Sequence, residues 1–435
     1  MNLILFIGVL LVLGLASTRL MKLFKLPNVT GYLIIGLIAA IVCIIIDSYT
    51  NEKLQLADSL NGLNGSVSSV ALGFIALSIG EEFRLNKIKK FGKKIITITF
   101  FQAIITTLLV DLILSIFCIA FKLPLNISLC LGAIATATAP AATLMVIHQY
   151  KAKGPLVDIL LPIVAFDDAI GLIIFSISVS ISKVIATNQP INFISLVAFP
   201  FIEIVGSILL GFFLGWLLHI MIKYFKSRNN HVIMIIAFTL LGVGLIESLN
   251  HIKINGETLE LSNLLCCMMI GAVYNNMAHK EKDVEIVERD FSLVDGWTPF
   301  LFLLFFVLSG THLVTSFKEM AETNIDLLKV AGIFILYLIA RSFGKYFGAY
   351  LGCKVTKQTK SITQYLGLTL LPQAGVAIGM ANQISSIDAF KNNGTGNMIV
   401  TCVLCATLIY ELIGPLLTKW SLIKSGEIEK QDSNK

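Results

Sequence analysis

The chain has 435 residues, of which 56% are hydrophobic and only 14% are charged. Soluble globular domains carry about 25% charged residues, so this composition excludes an ordinary soluble protein and indicates one that is solvated largely by lipid. The net charge of +6 implies no nucleic-acid partner, because the basic residues are confined to particular connections between apolar segments.

Apolar residues fall in runs of about 17 to 28, and about 20 residues of helix cross a 30 Å hydrocarbon core. We predict an all-α polytopic membrane protein with about thirteen transmembrane helices. A single membrane domain over residues 1–424 is expected, followed by a short, disordered cytoplasmic tail at 425–435. The approximate bounds of the runs are 3–21, 29–46, 66–81, 95–121, 126–147, 155–182, 195–222, 231–249, 260–276, 293–314, 326–352, 363–384 and 396–418.

The connections between these runs alternate in charge. Basic residues follow the first run and then every second run up to the thirteenth, whereas the other connections hold at most one lysine each. Because basic connections face the cytoplasm, the pattern predicts an outside N-terminus, an inside C-terminus and an odd number of helices.

Two runs carry a proline among small residues at mid-span. The fifth reads GAIATATAPAAT over 132–143 and the twelfth reads GLTLLPQAGVAIG over 367–379. Proline removes an amide donor and frees carbonyls of the preceding turn, so we predict two discontinuous helices. The runs are seven apart in order and cross in opposite senses, as an inverted repeat requires; kinked but continuous helices are the alternative. The residues predicted at the breaks are Thr136, Pro140, Pro372 and Gln373.

The sixth run contains two adjacent acids, in the string LPIVAFDDAIGL over 161–172. Neighbouring residues on a helix project about 100° apart, so Asp167 and Asp168 are expected to have different roles. Burial in lipid-depth protein disfavours a bare carboxylate, and either a proton or a metal cation can neutralise it. The pair is therefore suited to the exchange of a proton for a metal cation. The alternative is a structural acid pair that only accepts hydrogen bonds from neighbouring hydroxyl groups.

The eleventh run carries two basic residues on one helix face, Arg341 and Lys345. Either could neutralise the acidic pair when no substrate is bound. Alternatively, Lys345 extends to the cytoplasmic interface. Gly344, Gly348 and Gly352 repeat at the same spacing, which predicts close packing against another helix.

Three further acids lie within apolar runs and are weaker candidates, either as partners between helices or as transport groups. They are Asp111, Glu203 and Glu411. The eight cysteines show no pairing pattern and are expected to be small core residues.

The chain resembles the monovalent cation:proton antiporters, specifically the bacterial branch of sodium/proton antiporters with a double aspartate. The resemblance extends over nearly the whole length, and the order and spacing of its motifs are quite specific. The matching strings are NVTGYLIIG at 28–36, TATAP at 136–140, FDDAIGLI at 166–173, RxxGKxxGAYLG at 341–352, LPQAGVAIGMA at 371–381 and ELIGP at 411–415.

This resemblance implies an inverted-repeat fold with two crossing discontinuous helices, in a homodimer. It implies core helices at about 66–182 and 293–418 and dimerisation helices at about 3–46 and 195–276. Asp168 is implied as the main carboxylate for cation and proton, Asp167 as its ion-paired companion, and Thr138 as a group that helps to coordinate the ion. The family's basic partner maps to Lys345 by spacing to Pro372, or to Arg341 by the string LIAR at 338–341.

The expected function is secondary active antiport of Na⁺ or Li⁺ against H⁺ by alternating access, in the bacterial cytoplasmic membrane, for pH homeostasis. The resemblance also implies electrogenic exchange, since the acidic pair is similar to that of the electrogenic members of the family. We expect no enzyme activity, no cofactor, no resident metal besides transported Na⁺, and no nucleic-acid partner. K⁺/H⁺ exchange is one alternative. Another is a membrane prenyltransferase, which is disfavoured because Asp168 is followed by AIGL at 169–172 and no DDxxD motif is present.

Overall fold

A computed structural model of the chain describes residues 3–23, 28–49, 56–82, 85–139, 143, 146–147, 150–186, 199–225, 227–250, 253–254, 257–258, 261–280, 284–322, 327–391 and 394–428. These residues form sixteen helices and one pair of two-residue strands. The all-α prediction is therefore confirmed, with the strand pair as a minor addition.

The helices are numbered in chain order. Their bounds are α1 Leu3–Leu23, α2 Asn28–Tyr49, α3 Leu56–Glu82, α4 Leu85–Ala120, α5 Asn126–Ile134, α6 Pro155–Ala186, α7 Phe199–Ile222, α8 Arg228–Leu249, α9 Asn263–Lys280, α10 Val284–Trp297, α11 Pro299–Glu322, α12 Leu327–Val355, α13 Lys360–Thr369, α14 Gly375–Ser386, α15 Asp388–Lys391 and α16 Thr395–Lys424. The strands β1 Lys253–Ile254 and β2 Glu257–Thr258 pair antiparallel between α8 and α9.

Each of the thirteen predicted runs contains helix. Within the described residues, seven helices are long and apolar enough to cross a membrane by length and composition, and three apolar segments are shorter. Some of these helices carry an exposed apolar stripe. On α4, for example, Leu108, Leu112, Ile116 and Ile119 repeat at helical spacing and are 61–67% exposed, as expected of a helix with one face in hydrocarbon.

The tenth run differs from its predicted bounds. Residues 293–297 belong to α10, which buries Val287, Phe291 and Val294 on one face. The apolar helix α11 begins only at Pro299, where a proline fits because its missing amide would have no helical partner. The predicted start at 293 is wrong because residues from an amphipathic helix were counted with the following apolar run.

The chain forms two compact units. Unit 1 comprises Met1–Val67, Lys93–Gly171 and Leu303–Lys435, and unit 2 comprises Ser68–Gly92 and Leu172–Phe302. These two units do not coincide with the predicted core and dimerisation helices, because the predicted dimerisation segment 3–46 lies in unit 1 together with predicted core helices. That division concerns movement during transport and stays a prediction.

In unit 2 a buried ionic cluster joins α8, α9 and α10. The two ring nitrogens of His231 lie 2.7 Å from an Asp290 carboxylate oxygen and 2.7 Å from the Phe225 carbonyl oxygen. Tyr274 Oη donates to Asp290 at 2.9 Å, and Arg289 Nη2 does so at 2.9 Å. Because Asp290 is fully buried, these donors are what make its charge tolerable there.

In unit 1 the glycine repeat of α12 packs against α4, as the spacing predicted. A Cβ atom at each of the three glycines would come within 2.6–2.8 Å of a backbone Cα atom of α4. The contacts join Gly344 to Thr106, Gly348 to Gln102 and Gly352 to Ile98. This close approach brings the basic face of α12 next to the polar residues of α4.

A second close contact in unit 1 joins α2 to α11, and it gives a stability prediction. A Cβ atom at Gly310 would collide with the carbonyl oxygen of Leu33. We expect Gly310→Ala to destabilise the protein by about 1–3 kcal/mol, because the two backbones would have to separate. Thermal unfolding in detergent measures this.

The matched control is Gly8→Ala on α1, where no described atom beyond the local backbone of α1 and the two neighbouring residues lies within 4 Å of the added Cβ. Alanine is the better helix former by about 1 kcal/mol, so this variant should be as stable as the wild type or slightly more stable. Equal stability of the two variants would show that the α2–α11 contact is not tight.

Candidate functional site

Two helices of unit 1 are interrupted, and their breaks meet. Helix α5 ends at Ile134, helix α13 ends at Thr369, and α14 begins at Gly375. The amide of Ala139 donates to the Pro372 carbonyl oxygen at 2.9 Å, so the two interruptions lie side by side. The alternative of kinked but continuous helices is wrong.

The predicted break residues lie as follows. Thr136 and Thr138 are in the first interruption, and Pro372 and Gln373 are in the second. Pro140 lies outside the described residues. The first helix already ends at Ile134, six positions before Pro140. Just after this end, Thr136 Oγ1 donates to the Ala133 carbonyl oxygen at 2.7 Å, a local side-chain bond that competes with the helical pattern.

Arg341 holds the two interruptions together. Its side chain is fully buried, and its guanidinium donates to the carbonyl oxygens of Ala135 at 3.1 Å, Ala137 at 2.7 Å and Leu371 at 2.8 Å. These carbonyls follow the C-terminal ends of α5 and α13, where freed acceptors and the negative end of the helix dipole attract a cation. Arg341 thus compensates backbone dipoles at both breaks.

Asp167 lies beside the first interruption and is fully buried. Lys345 Nζ is 2.6 Å from Asp167 Oδ2. Lys345 also donates to Thr138 Oγ1 at 2.8 Å and to the Thr136 carbonyl oxygen. Because Lys345 has no exposed surface, the alternative in which it extends to the membrane interface is wrong.

Two further donors complete the surroundings of the Asp167 carboxylate. Thr138 Oγ1 donates to Oδ2 and Gln102 Nε2 donates to Oδ1. Sequence reasoning did not identify Gln102. The available signal was a glutamine inside the apolar fourth run, four residues before Thr106, on the face that meets the α12 glycines. A buried carboxylate with one ammonium and two neutral donors is satisfied without any bound ion.

Asp168 is the next residue of α6, and its side chain lies outside the described residues. Helix α6 packs closely against the first interruption at Gly171, three residues after Asp168, where an added Cβ would come within 2.6 Å of Thr136 Oγ1. Position 168 is therefore on the part of α6 that passes the first interruption.

The weaker acidic candidates differ in environment. In unit 2, Glu203 accepts from Ser180 Oγ at 2.7 Å and lies 3.8 Å from Lys183 Nζ, so it has the contacts of a helix–helix partner. Asp111 is packed against Gly132 of α5. Glu411 on α16 is 1% exposed, and neither of its carboxyl oxygens has a hydrogen-bond partner among the described residues.

The segment after α16 contacts the start of α6, the helix that carries the acidic pair. The Glu427 carboxylate accepts from the amides of Leu156 at 2.6 Å and Val157 at 3.0 Å, and Ile428 is buried. Amides at a helix N-terminus lack helical partners and attract an anion. The predicted disordered tail from residue 425 is therefore wrong for residues 425–428.

This contact gives a further prediction. Glu427→Gln should lower the stability of the protein by about 0.5–2 kcal/mol, because the α6 N-terminus loses its charged acceptor. The melting temperature in detergent measures the loss. Asp158→Asn is the matched control, since Asp158 lies on the same first turn but is exposed. If Asp158→Asn had an equal effect, general electrostatics and not the Glu427 contact would be responsible.

Comparisons with known proteins give one consistent result. The family described as "Sodium/hydrogen exchanger, transmembrane" matches residues 7–424. The probable Na(+)/H(+) antiporter 2 of Methanocaldococcus jannaschii is 26% identical over 325 residues, which are 72% of this chain and 70% of that protein.

Solved structures agree on the fold. The sodium proton antiporter MjNhaP1 from Methanocaldococcus jannaschii, at pH 8, aligns with a TM-score of 0.71 and 19% identity over 97% of this chain and 98% of that chain. An electron-microscopy structure of the same antiporter aligns with a TM-score of 0.66, 18% identity and 97% coverage of both chains. The predicted antiporter fold is confirmed, and the chain is a multi-pass membrane protein that belongs to the sodium/hydrogen exchanger family.

Proposed function

We propose that this protein exchanges Na⁺ or Li⁺ for H⁺ at a site formed by Asp168, Asp167 and Thr138. The observation that carries the proposal is the fully buried Asp167 carboxylate at two interrupted helices, 2.6 Å from a fully buried lysine. Intramembrane acids are costly to bury and mark ion and proton pathways. Membership of the exchanger family supports transport over the alternative of a membrane prenyltransferase.

The geometry around Asp167 supports competition between the substrates. In this structure the ammonium of Lys345 neutralises Asp167 and also contacts Thr138. A cation that used both of these oxygen-bearing side chains would have to displace the ammonium, and a proton on Asp167 would weaken the ion pair. Cation, proton and lysine therefore alternate as partners of one carboxylate, while Asp168 supplies the second exchangeable charge.

The proposed transport cycle is one of alternating access. Core helices carry the loaded site across the membrane against dimerisation helices of a homodimer in the bacterial cytoplasmic membrane, with the N-terminus outside and the C-terminus inside. Two protons leave for each cation, so one net charge crosses per cycle. A membrane potential then contributes about 2.3 kcal/mol per 100 mV to each turnover.

Purified protein in liposomes with an acidic interior tests the proposal. External Na⁺ or Li⁺ should dissipate the pH gradient, an equal concentration of choline should not, and an imposed membrane potential should change the rate. Dissipation by K⁺ with no response to Na⁺ would favour K⁺/H⁺ exchange instead. A rate that is independent of the potential would contradict the two-proton stoichiometry.

A further inference from the structure

A second buried carboxyl group lies outside the site described above. Glu411 is in the middle of α16, is 1% exposed, and has no hydrogen bond or ion pair with any described residue. An ionised carboxylate buried without a partner is destabilised by several kcal/mol. Asp167, by contrast, has an ammonium and two other donors. No described side chain neutralises a negative charge on Glu411, whereas Lys345 neutralises Asp167. A bound proton would make the Glu411 carboxyl group neutral.

Glu411 belongs to a row of oxygen-bearing side chains on one face of α16. At 100° per residue the members lie within an arc of about 80°, and they extend over about 21 Å of the helix. All of them are buried, and their side-chain oxygens lack hydrogen-bond partners within the described part of the chain. The members of this row, the α16 oxygen row, are Thr407, Glu411, Thr418 and Ser421.

The α16 oxygen row meets the second helix interruption at Gly414. Gly414 lies within the same arc, and a Cβ atom there would come within 2.7 Å of Pro372 Cγ. The next residue along the chain from Pro372, Gln373, has a buried side-chain oxygen that also lacks a partner among the described residues. Polar groups that are buried and unpaired in this way are commonly satisfied by water.

Charged side chains on neighbouring helices do not neutralise Glu411. Arg341 contacts the Tyr410 ring, 4.4 Å from its centroid, and donates to carbonyls of the interruptions, while Lys345 is paired with Asp167. No described charged group forms an ion pair with Glu411. The other charged side chains that the structure describes on helices packed against α16 are Asp47 on α2, Lys329 and Lys354 on α12, and Lys360 on α13.

The spacing of the row favours a proton over a metal ion. A hard cation needs a shell of oxygen ligands around one point, but Thr418 is about 10 Å along the helix axis from Glu411 and only Thr407 is within one turn. A proton needs a single carboxyl oxygen and a chain of waters or hydroxyls.

We propose that Glu411 is a second proton-binding carboxyl group, connected by water along the α16 oxygen row, and that it exchanges its proton during transport. The proton binding is independent of the proposed antiport, whereas the role in transport rests on it.

Infrared spectroscopy of the reconstituted protein tests the proton binding directly. Between about pH 5 and pH 9, a range that spans shifted carboxyl groups, the wild type should lose a carbonyl band of a protonated carboxyl group. Glu411→Gln should lack that band, Glu411→Asp should retain it at a shifted frequency, and Glu247→Gln, at an exposed position, should leave it unchanged. The proposal is overturned if the band is the same in wild type and Glu411→Gln, or if it does not change with pH.

Transport measurements then test the role in the cycle. Glu411→Gln should shift the pH profile of sodium-driven proton flux while the half-saturating sodium concentration stays unchanged. An unchanged pH profile, or a several-fold weaker sodium dependence, would overturn the role as a proton-exchanging group. If the wild type showed no sodium/proton exchange, the proposed function would fail while the infrared titration still decided the proton binding.

Discussion

An Asp168→Asn variant reconstituted into liposomes is expected to show no sodium-driven proton movement above that of protein-free liposomes. A carboxamide can neither carry a proton at neutral pH nor supply a negative charge to a cation. Loss of a charge-assisted contact of about 3 kcal/mol corresponds to at least about a 100-fold loss of rate. The decay of a preset pH gradient after addition of Na⁺ measures the effect.

The control for this experiment is Asp158→Asn, which removes an exposed carboxylate from the same helix and should transport like the wild type. Both variants should elute as the wild type does in size-exclusion chromatography, which separates loss of transport from loss of fold. Wild-type exchange in Asp168→Asn would remove Asp168 from the proposed site.

Replacing Lys345 by Met is expected to destabilise the protein by about 3–5 kcal/mol, because it leaves the Asp167 carboxylate buried without its cation. Methionine has a side chain of similar length, so the loss of stability reflects the removed charge more than lost packing. The double variant Asp167→Asn/Lys345→Met should recover much of this stability, since neither charge then remains. Thermal unfolding in detergent, analysed as a double-mutant cycle, measures the coupling between the two side chains.

Lys354→Met is the matched control, because Lys354 lies on the same helix but is exposed. It should leave the melting temperature nearly unchanged. If Lys345→Met were as stable as the wild type, or if the double variant showed no recovery, the buried ion pair would not be what neutralises Asp167.

Several features of the site could be predicted from residue types alone. Acids, prolines and glycines at mid-membrane depth are costly unless the fold provides for them, so their presence in the sixth, fifth and twelfth runs indicated a site and two breaks. The glycine repeat of α12 likewise predicted a close helix contact.

Other features could not be predicted, because they depend on which helix faces which. Gln102 is one glutamine in an apolar run, and only the packing of Gly348 against it brings it to Asp167, 65 residues away. The sequence left both Arg341 and Lys345 open as the basic partner, with Lys345 favoured by its spacing to Pro372. In the structure Arg341 binds backbone carbonyls of both interruptions and Lys345 binds the carboxylate.

The sequence by itself determined the membrane class, the order of the helices, the acidic pair and the two interruptions, because each depends on the local cost of placing a residue type in lipid. Only the tertiary structure decided the partner of Asp167, the attachment of Arg341 to carbonyls up to 206 residues away, and the contact of Glu427 with α6. These are long-range contacts, and their geometry arises from backbone packing that no local pattern of residues contains.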